Sequence, residues 1–176
     1  EAQGTGIITR LWLTFAGWFW QHWNETAEID PTILRSLILR IYFDGNDFPS
    51  VEAPIGDFFG VGHCEYRHYM SKFLGMSSGG FYCFFPMPFE NGVKIEVENL
   101  HDTIAGDIFM NVNYQEMDYL DADTGRFHCL FQCGENPGAE PLDILKADGR
   151  GHYAGCALSM QGQYMNYLAY LEAPEY

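Results

Sequence analysis

The segment Leu37–Phe43, LILRIYF, decides the fold of this chain. Apolar, β-branched and aromatic residues dominate it, which predicts a β-strand. Asp44-Gly45-Asn46 follows directly and is typical of a turn that ends such a strand. Outward from this segment the apolar residues recur with a period of two more often than 3.6, so the sequence predicts an all-β protein.

Further strands are predicted along the chain, about seven or eight in all. Glu90-Asn91-Gly92 lies between two alternating runs and predicts a hairpin that joins them. Ser50–Gly62 is interrupted by Pro and Gly and predicts strand edges and a loop, whereas 142–146 predicts a short helical turn. This pattern, without a convincing amphipathic helix, predicts a β-sandwich or jelly roll. The other predicted strands are 6–15, 79–89, 93–98, 108–116, 126–132 and 153–160.

Charge and missing motifs exclude several classes of function. The net charge is −15, which disfavours nucleic acids and anionic membranes as partners, whereas a neutral sugar is compatible with it. No run approaches the ~18 apolar residues of a membrane span. The five cysteines have no CxxC spacing, and the chain lacks phosphate-binding loops, GxGxxG, GxSxG and HExxH patterns, so no cofactor is expected.

Five segments in one order resemble glycoside hydrolase family 172. They are LRIYFDG (39–45), SVEAPIGDFFGVGH (50–63), MSSGGFYCFFPMPF (76–89), NVNYQE (111–116) and GRGHYAG (149–155). The resemblance covers most of the chain. It implies tandem jelly rolls, assembly into homo-oligomers, and retaining hydrolysis of fructofuranosides or D-arabinofuranosides by two carboxylates. It also implies a secreted protein with a carbohydrate partner.

The same resemblance implies a division of the chain into two domains. We expect residues 1–147 to belong to a first jelly roll, incomplete at its start, and residues 148–176 to begin a second one. The family carries an acidic segment of the form GTGTEDYF in the second jelly roll, and this chain has no such segment. We therefore expect the main catalytic glutamates outside this chain.

Glu52 and Asp57 are the candidate catalytic carboxylates within this chain. They lie in an apolar, Gly- and Pro-rich segment, where a carboxylate is costly unless it is used or paired. A retaining glycosidase needs two carboxyl groups about 5 Å apart. Five positions separate the two residues, so they meet only if Pro54–Gly56 bends the chain. The alternatives are that both line the pocket, or that Asp57 caps a turn and Glu52 pairs with an arginine.

Candidate substrate-binding residues have side chains that donate or accept hydrogen bonds to sugar hydroxyls. Residues 113–116 are also explained by the polar face of an exposed strand, and residues 150–152 by a plain turn that leads into a strand. Residues 63, 65 and 68 (His, Glu, His) suggest a metal site, yet the pattern departs from that of the cupins and no metal is expected. The candidates are His63, Asn113, Gln115, Glu116, Arg150 and His152.

The tryptophans Trp12, Trp18, Trp20 and Trp23 suggest a subunit interface, core packing or stacking on sugars. Two other functions therefore stay open beside the enzyme. One is a structural, self-assembling protein built from the glycosidase fold, and the other is a carbohydrate-binding jelly roll without catalysis.

Overall fold

The computed structural model describes residues 1–15, 32–65, 67–102, 107–135 and 142–162. Within these ranges the fold consists of two β-sheets with two short helical turns, which is an all-β sandwich of the jelly-roll kind. No helix in the described part of the chain has the length and apolar character required to span a membrane.

The larger sheet is organised around strand β1, Gly6–Phe15. One edge of β1 pairs with β6 (Gly80–Cys83) and with β7 (Met87–Phe89), and β5 and β4 extend the sheet beyond β6. The other edge of β1 pairs along its length with β9, Ile108–Glu116. The outer members of the sheet are β4 at Tyr69–Met70 and β5 at Leu74–Ser77.

The smaller sheet has the order β10-β3-β2-β8. Its longest strands are β2, Leu37–Phe43, and β8, Val93–Asn99, which pair in antiparallel register. Strand β3, Val51–Pro54, pairs with β2, and β10, Cys129–Leu130, runs parallel to β3. The helical turns α1, Ile33–Ser36, and α2, Ile55–Phe58, directly precede β2 and follow β3.

The core lies between the two sheets. Alternate residues of β2 are buried from Leu37 to Phe43, as a period of two requires. Phe59 follows α2 and contacts Phe58 edge-on at 4.8 Å and Phe81 of the larger sheet at 5.2 Å between ring centroids. Each fully buried Phe contributes roughly 1.5–3 kcal/mol, so Phe59 and Phe81 help to hold the two sheets together.

The prediction of a hairpin at Glu90-Asn91-Gly92 is wrong. Strand β7 pairs with β1 in the larger sheet, whereas β8 pairs with β2 in the smaller one, so the turn connects the two sheets. The reason lies in the hydrogen bonds: the Glu90 and Asn91 N–H groups donate to the Asp44 carboxylate at 2.6 and 2.8 Å. The Asn-Gly turn therefore docks on the end of β2 and does not fold β8 back on β7.

The strands predicted at 6–15, 37–43, 93–98 and 108–116 are confirmed, with bounds that agree to within one residue. Other predictions need correction. The predicted strand 79–89 is split into β6 and β7 around Pro86, which lacks the N–H that a strand ladder needs. Part of the predicted loop 50–62 forms α2.

The predictions for the C-terminal part of the chain are largely wrong. Only Cys129–Leu130 of the predicted strand 126–132 is paired, and neither the helical turn at 142–146 nor the strand at 153–160 is present. Residues 153–160 are exposed, so their alternating pattern has no sheet to pack on. The aromatic segment Gly17–Asp30 lies outside the described residues, and the division at residue 147 stays a prediction.

Candidate functional site

Asp57 lies in α2 and pairs with Arg35 of α1. The Arg35 Nη2 donates to Asp57 Oδ1 at 3.2 Å, and Arg35 Nε lies 2.8 Å from Asp57 Oδ2. The second contact is an ion pair without the alignment of a hydrogen bond, since neither of those two buried atoms has a hydrogen-bond partner. The Asp57 side chain is only 13% exposed, whereas the Arg35 side chain is 41% exposed, so a largely buried carboxylate and a partly exposed guanidinium tie the two helical turns together.

The same arginine holds the loop that follows α2. Arg35 Nη2 donates to the Gly62 carbonyl at 2.7 Å, and its guanidinium lies 5.3 Å from the ring centroid of Phe131. The Tyr69 hydroxyl donates to the Phe59 carbonyl at the start of that loop. Gly60 takes a φ of +73°, a conformation that glycine adopts without strain. These contacts fix residues 60–63 against the sandwich.

The pKa of the Asp57 carboxyl is raised above its ordinary value. Burial is the largest cause, and it outweighs the charge of Arg35 and the neighbouring His63, which both act to lower the pKa. A carboxyl group with a raised pKa is typical of acid catalysts, and it also occurs in structural ion pairs. Asp57 Oδ1 lies 2.9 Å from the place where a Cβ on Gly62 would stand, so the carboxylate lies directly behind the loop.

A cavity of about 410 Å³ opens on the other side of that loop. This volume falls within the range of small-molecule sites. His63 and the ion pair between Glu65 and Arg67 supply its charged and polar groups. The remaining wall is formed by Gly60, Val61, Gly62, Leu158, Ser159 and Met160.

The 158–160 segment is seated tightly on the loop. A Cβ on Gly62 would lie 2.3 Å from the Ser159 hydroxyl oxygen, a separation that real Cβ atoms do not reach. A larger residue at position 62 would therefore require Ser159 to shift. The close contact brings a distant part of the chain to the wall of the cavity beside His63.

Asp57 and His63 are the predicted site residues that the structure brings together. Asp57 stands behind the cavity wall and is not among the residues that line it, so its position suits holding the loop and not touching a ligand. His63 lines the cavity itself. These contacts favour a positioning role for Asp57, and its pocket-lining role stays a prediction.

Glu52 faces a different side of the molecule. Its side chain is 53% exposed on the outer face of the smaller sheet and accepts a hydrogen bond from Arg40 Nε at 2.6 Å. Arg40 also contacts Glu98 at 2.6 Å, and its hydrogen bonds to Glu52 and then Glu98 raise the pKa of Arg40. Glu52 and Asp57 pair with different arginines, and their joint catalytic role stays a prediction.

The polar residues of β9 lie on the larger sheet. Asn111 and Asn113 accept hydrogen bonds from Arg10 Nη1 at 3.0 and 3.4 Å, whereas Gln115 and Glu116 are exposed near the end of the strand. These residues form a surface of their own and do not line the cavity beside His63.

Arg150 and His152 are exposed within the irregular C-terminal segment. Arg150 forms a surface ion pair with the exposed Asp123. Within the described ranges no three or more His, Cys, Asp or Glu side chains cluster as a metal site would require.

Sequence reasoning missed Arg35 and Ser159 as parts of the site. Arg35 could have been identified from the sequence, because it is the single cation in the apolar segment ILRSLIL around α1 and a cation in such a segment needs a partner. Ser159 had none, since its role depends on a contact across nearly a hundred positions of sequence.

The two sheets define the class of protein: an all-β sandwich of the jelly-roll kind, with a cavity of small-molecule size beside the Arg35–Asp57 ion pair. A family model described as "GH172 domain-like" matches residues 4–112. The chain therefore belongs to glycoside hydrolase family 172, and the matched region includes β1 to β8 and the start of β9. A search of curated proteins found no match.

Proposed function

We propose that this domain forms part of a retaining furanoside hydrolase, in which it supplies the cavity beside His63 as a sugar-contacting surface. The family membership supports carbohydrate chemistry, and the cavity provides the space and the polar groups. Its histidine, carboxylate and guanidinium offer donors and acceptors for hydroxyl groups. The observation that carries the proposal is the Arg35–Asp57 pair, which fixes the cavity loop from behind.

The two catalytic carboxylates are proposed to come from outside this chain. Retaining hydrolysis needs a nucleophile and an acid about 5 Å apart. Within the described residues, Glu52 and Asp57 are each paired with an arginine of their own, which supports placing the catalytic pair elsewhere. The domain division at residue 147 and a secreted location belong to the same proposal. A polymeric furanoside, which does not cross membranes, is degraded outside the cell.

Self-association into a homo-oligomer is also proposed. Among the described strands, β9 is paired with β1 on one edge only, which leaves a long edge of backbone donors and acceptors. Proteins cover such edges, often with another segment or subunit. The mass measured by light scattering tests this: a mass above that of one chain is expected, and a monomer at every concentration contradicts it.

The substitution Asp57→Asn tests the proposed site in the native gene product. It keeps the shape of the side chain but removes the charge that holds Arg35, so the loop at Gly62 loses part of its support. We expect KM for nitrophenyl furanosides to rise about tenfold, equivalent to about 1.4 kcal/mol, with a smaller change in kcat. A split of this kind is expected of a residue that positions the binding loop.

Two further variants make the result interpretable. Glu98→Gln removes an exposed carboxylate that is also paired with an arginine, and its kinetics should match the wild type. His63→Ala alters the cavity wall without touching the ion pair, and it should raise KM as well. Wild-type kcat and KM in both Asp57→Asn and His63→Ala would remove the cavity from the proposed function.

A further inference from the structure

A row of side chains crosses the outer face of the larger sheet. The strand register places Asn111 of β9 beside Trp12 of β1, Trp12 beside Tyr82 of β6, Tyr82 beside Gly75 of β5, and Gly75 beside Met70 of β4. At about 4.8 Å between neighbouring strands, the row spans about 19 Å. The neighbouring residues of these strands, such as Leu11 and Phe81, are buried in the core, so the row faces outward.

The two aromatic side chains of this row each lie over a glycine of the sheet. A Cβ on Gly80 would stand 2.6 Å from Trp12 Nε1, and a Cβ on Gly75 would stand 2.0 Å from the Tyr82 hydroxyl oxygen. The indole thus covers one glycine and the phenol covers another. Trp12 and Tyr82 are both half-buried, so each keeps some apolar ring surface exposed, and aromatic ring surface of this kind packs against the apolar C–H side of a sugar ring.

Hydrogen-bonding groups flank the indole on its β9 side. Arg10 Nη1 donates to the side-chain oxygens of Asn111 and Asn113, at 3.0 and 3.4 Å. These bonds use the oxygen of each amide, so the NH₂ groups of Asn111 and Asn113 can still donate to another partner. The Arg10 guanidinium has further N–H donors as well. Donors held beside a flat aromatic face suit the equatorial hydroxyls around a stacked sugar.

The charge of this face selects the kind of saccharide. The row contains an asparagine, two aromatic residues, a glycine and a methionine and no carboxylate, although the whole chain has a net charge of −15. An anionic polymer would be repelled by the surrounding surface, whereas a neutral chain is not. We propose that this face binds a neutral saccharide chain, stacked on Trp12 and Tyr82, at a site separate from the cavity beside His63.

Native electrophoresis of the gene product through gels with soluble inulin, a neutral furanose polymer, or dextran, a neutral pyranose polymer, tests the proposal. The wild type should be retarded by at least one of them. Trp12→Ala should raise the apparent Kd about tenfold, and Trp12→Phe should restore part of the affinity. Gly75→Ala should also weaken binding, because the added methyl group forces the Tyr82 ring off the sheet.

Matched variants separate this face from the rest of the molecule. Tyr42→Ala removes an outward aromatic side chain from the smaller sheet, and His63→Ala alters the cavity, so both should retain wild-type retardation. A raised KM in His63→Ala with retained retardation distinguishes this proposal from the proposed function.

Three results would overturn the inference. The first is a wild type that neither polymer retards. The second is equal retardation by anionic polygalacturonate, which would contradict selection of neutral chains. The third is a Trp12→Ala variant that binds normally but has a smaller mass in light scattering, which would make the face a contact between protein chains.

Discussion

At the scale of single residues, Asp44 shows how one carboxylate joins two sheets. Its φ of 61° places it in the left-handed region, where Asp and Asn are tolerated. Oδ1 accepts the Glu90 and Asn91 N–H groups, and Oδ2 lies 2.5 Å from Arg126 Nε. Burial acts to raise the pKa of Asp44, but these hydrogen bonds outweigh it and the pKa is lowered.

Asp44→Asn is expected to destabilise the fold at pH 7. Asn keeps the backbone conformation and one acceptor oxygen but loses the charge that pairs with Arg126. A hydrogen bond between charged groups contributes roughly 1.5–3 kcal/mol, and partial exposure here reduces the expected loss to about 1–2 kcal/mol. Urea denaturation measures it. Glu90→Gln, which removes an exposed and longer contact to Arg126, should cost under about 0.5 kcal/mol.

The effect of Asp44→Asn should depend on pH. Because the folded-state pKa of Asp44 is lowered, its contribution is present above the unfolded pKa of about 3.8 and is lost as the pH falls through the folded value. The difference in unfolding free energy between the variant and the wild type should therefore shrink between pH 5 and pH 3. A difference that stays constant over this range would refute the charged interaction.

At the scale of elements, β1 is the strand on which the larger sheet depends. It pairs with β6, β7 and β9, and its side chains alternate between the core and the outer face on either side of a register shift between Ile8 and Arg10. Leu11 and Leu13 are fully buried, whereas Thr9 is exposed. Loss of packing on the inner side of β1 therefore affects pairings on both of its edges.

Leu11→Ala is expected to lower the free energy of unfolding by roughly 2–5 kcal/mol, since it opens a cavity in a closely packed core. Thr9→Ala on the same strand loses one exposed hydrogen bond to the Asn113 carbonyl and should cost under about 1 kcal/mol. Urea midpoints of the two variants provide the comparison. Equal losses would mean that Leu11 does not pack as described.

Sequence periodicity was sufficient to predict those strands whose two faces differ in burial. Leu37–Phe43 and Ile108–Glu116 were predicted with correct bounds because burial alternates along both, fully buried with half-buried in the first and half-buried with exposed over most of the second. The turn at Asn91-Gly92 was misassigned because its partner is Asp44, about 46 positions away, which local turn chemistry does not reveal. The strand predicted at 153–160 failed because alternation alone does not supply a neighbouring strand.

The candidate site was predictable only in part. Asp57 and His63 stood out as polar residues in an apolar, Gly-rich segment, and the structure places both at the cavity loop. Whether a carboxylate such as Glu52 points inward or outward depends on strand register. Its pairing with Arg40 follows from the β2–β3 alignment, which the sequence does not specify.

At the scale of the whole molecule, the excess of acidic residues opposes compaction. The net charge is −15, so most carboxylates have no cation to pair with. The clustered ion pairs around Arg40 offset only a small part of this repulsion, since exposed pairs contribute little. Added salt screens repulsion and attraction alike, and repulsion is the larger of the two.

Raising NaCl from about 0.01 to about 0.1 M, which shortens the Debye length from about 30 to about 10 Å, should therefore raise the urea midpoint. KCl at the same ionic strength should have the same effect, because screening does not depend on the identity of the cation. A midpoint that falls with salt would mean that the paired charges outweigh the unpaired ones.

The pairing of β1 with distant strands has a consequence for synthesis on the ribosome. Thr14 bonds to a carbonyl 65 positions later, and Thr9 to one 104 positions later. At roughly 5–20 residues per second, the nascent β1 waits roughly 5–20 s for β9 to be made. During this interval its apolar side is open to chaperones and to other nascent chains on the same messenger RNA, so the rate of translation sets how long the strand is at risk of aggregation.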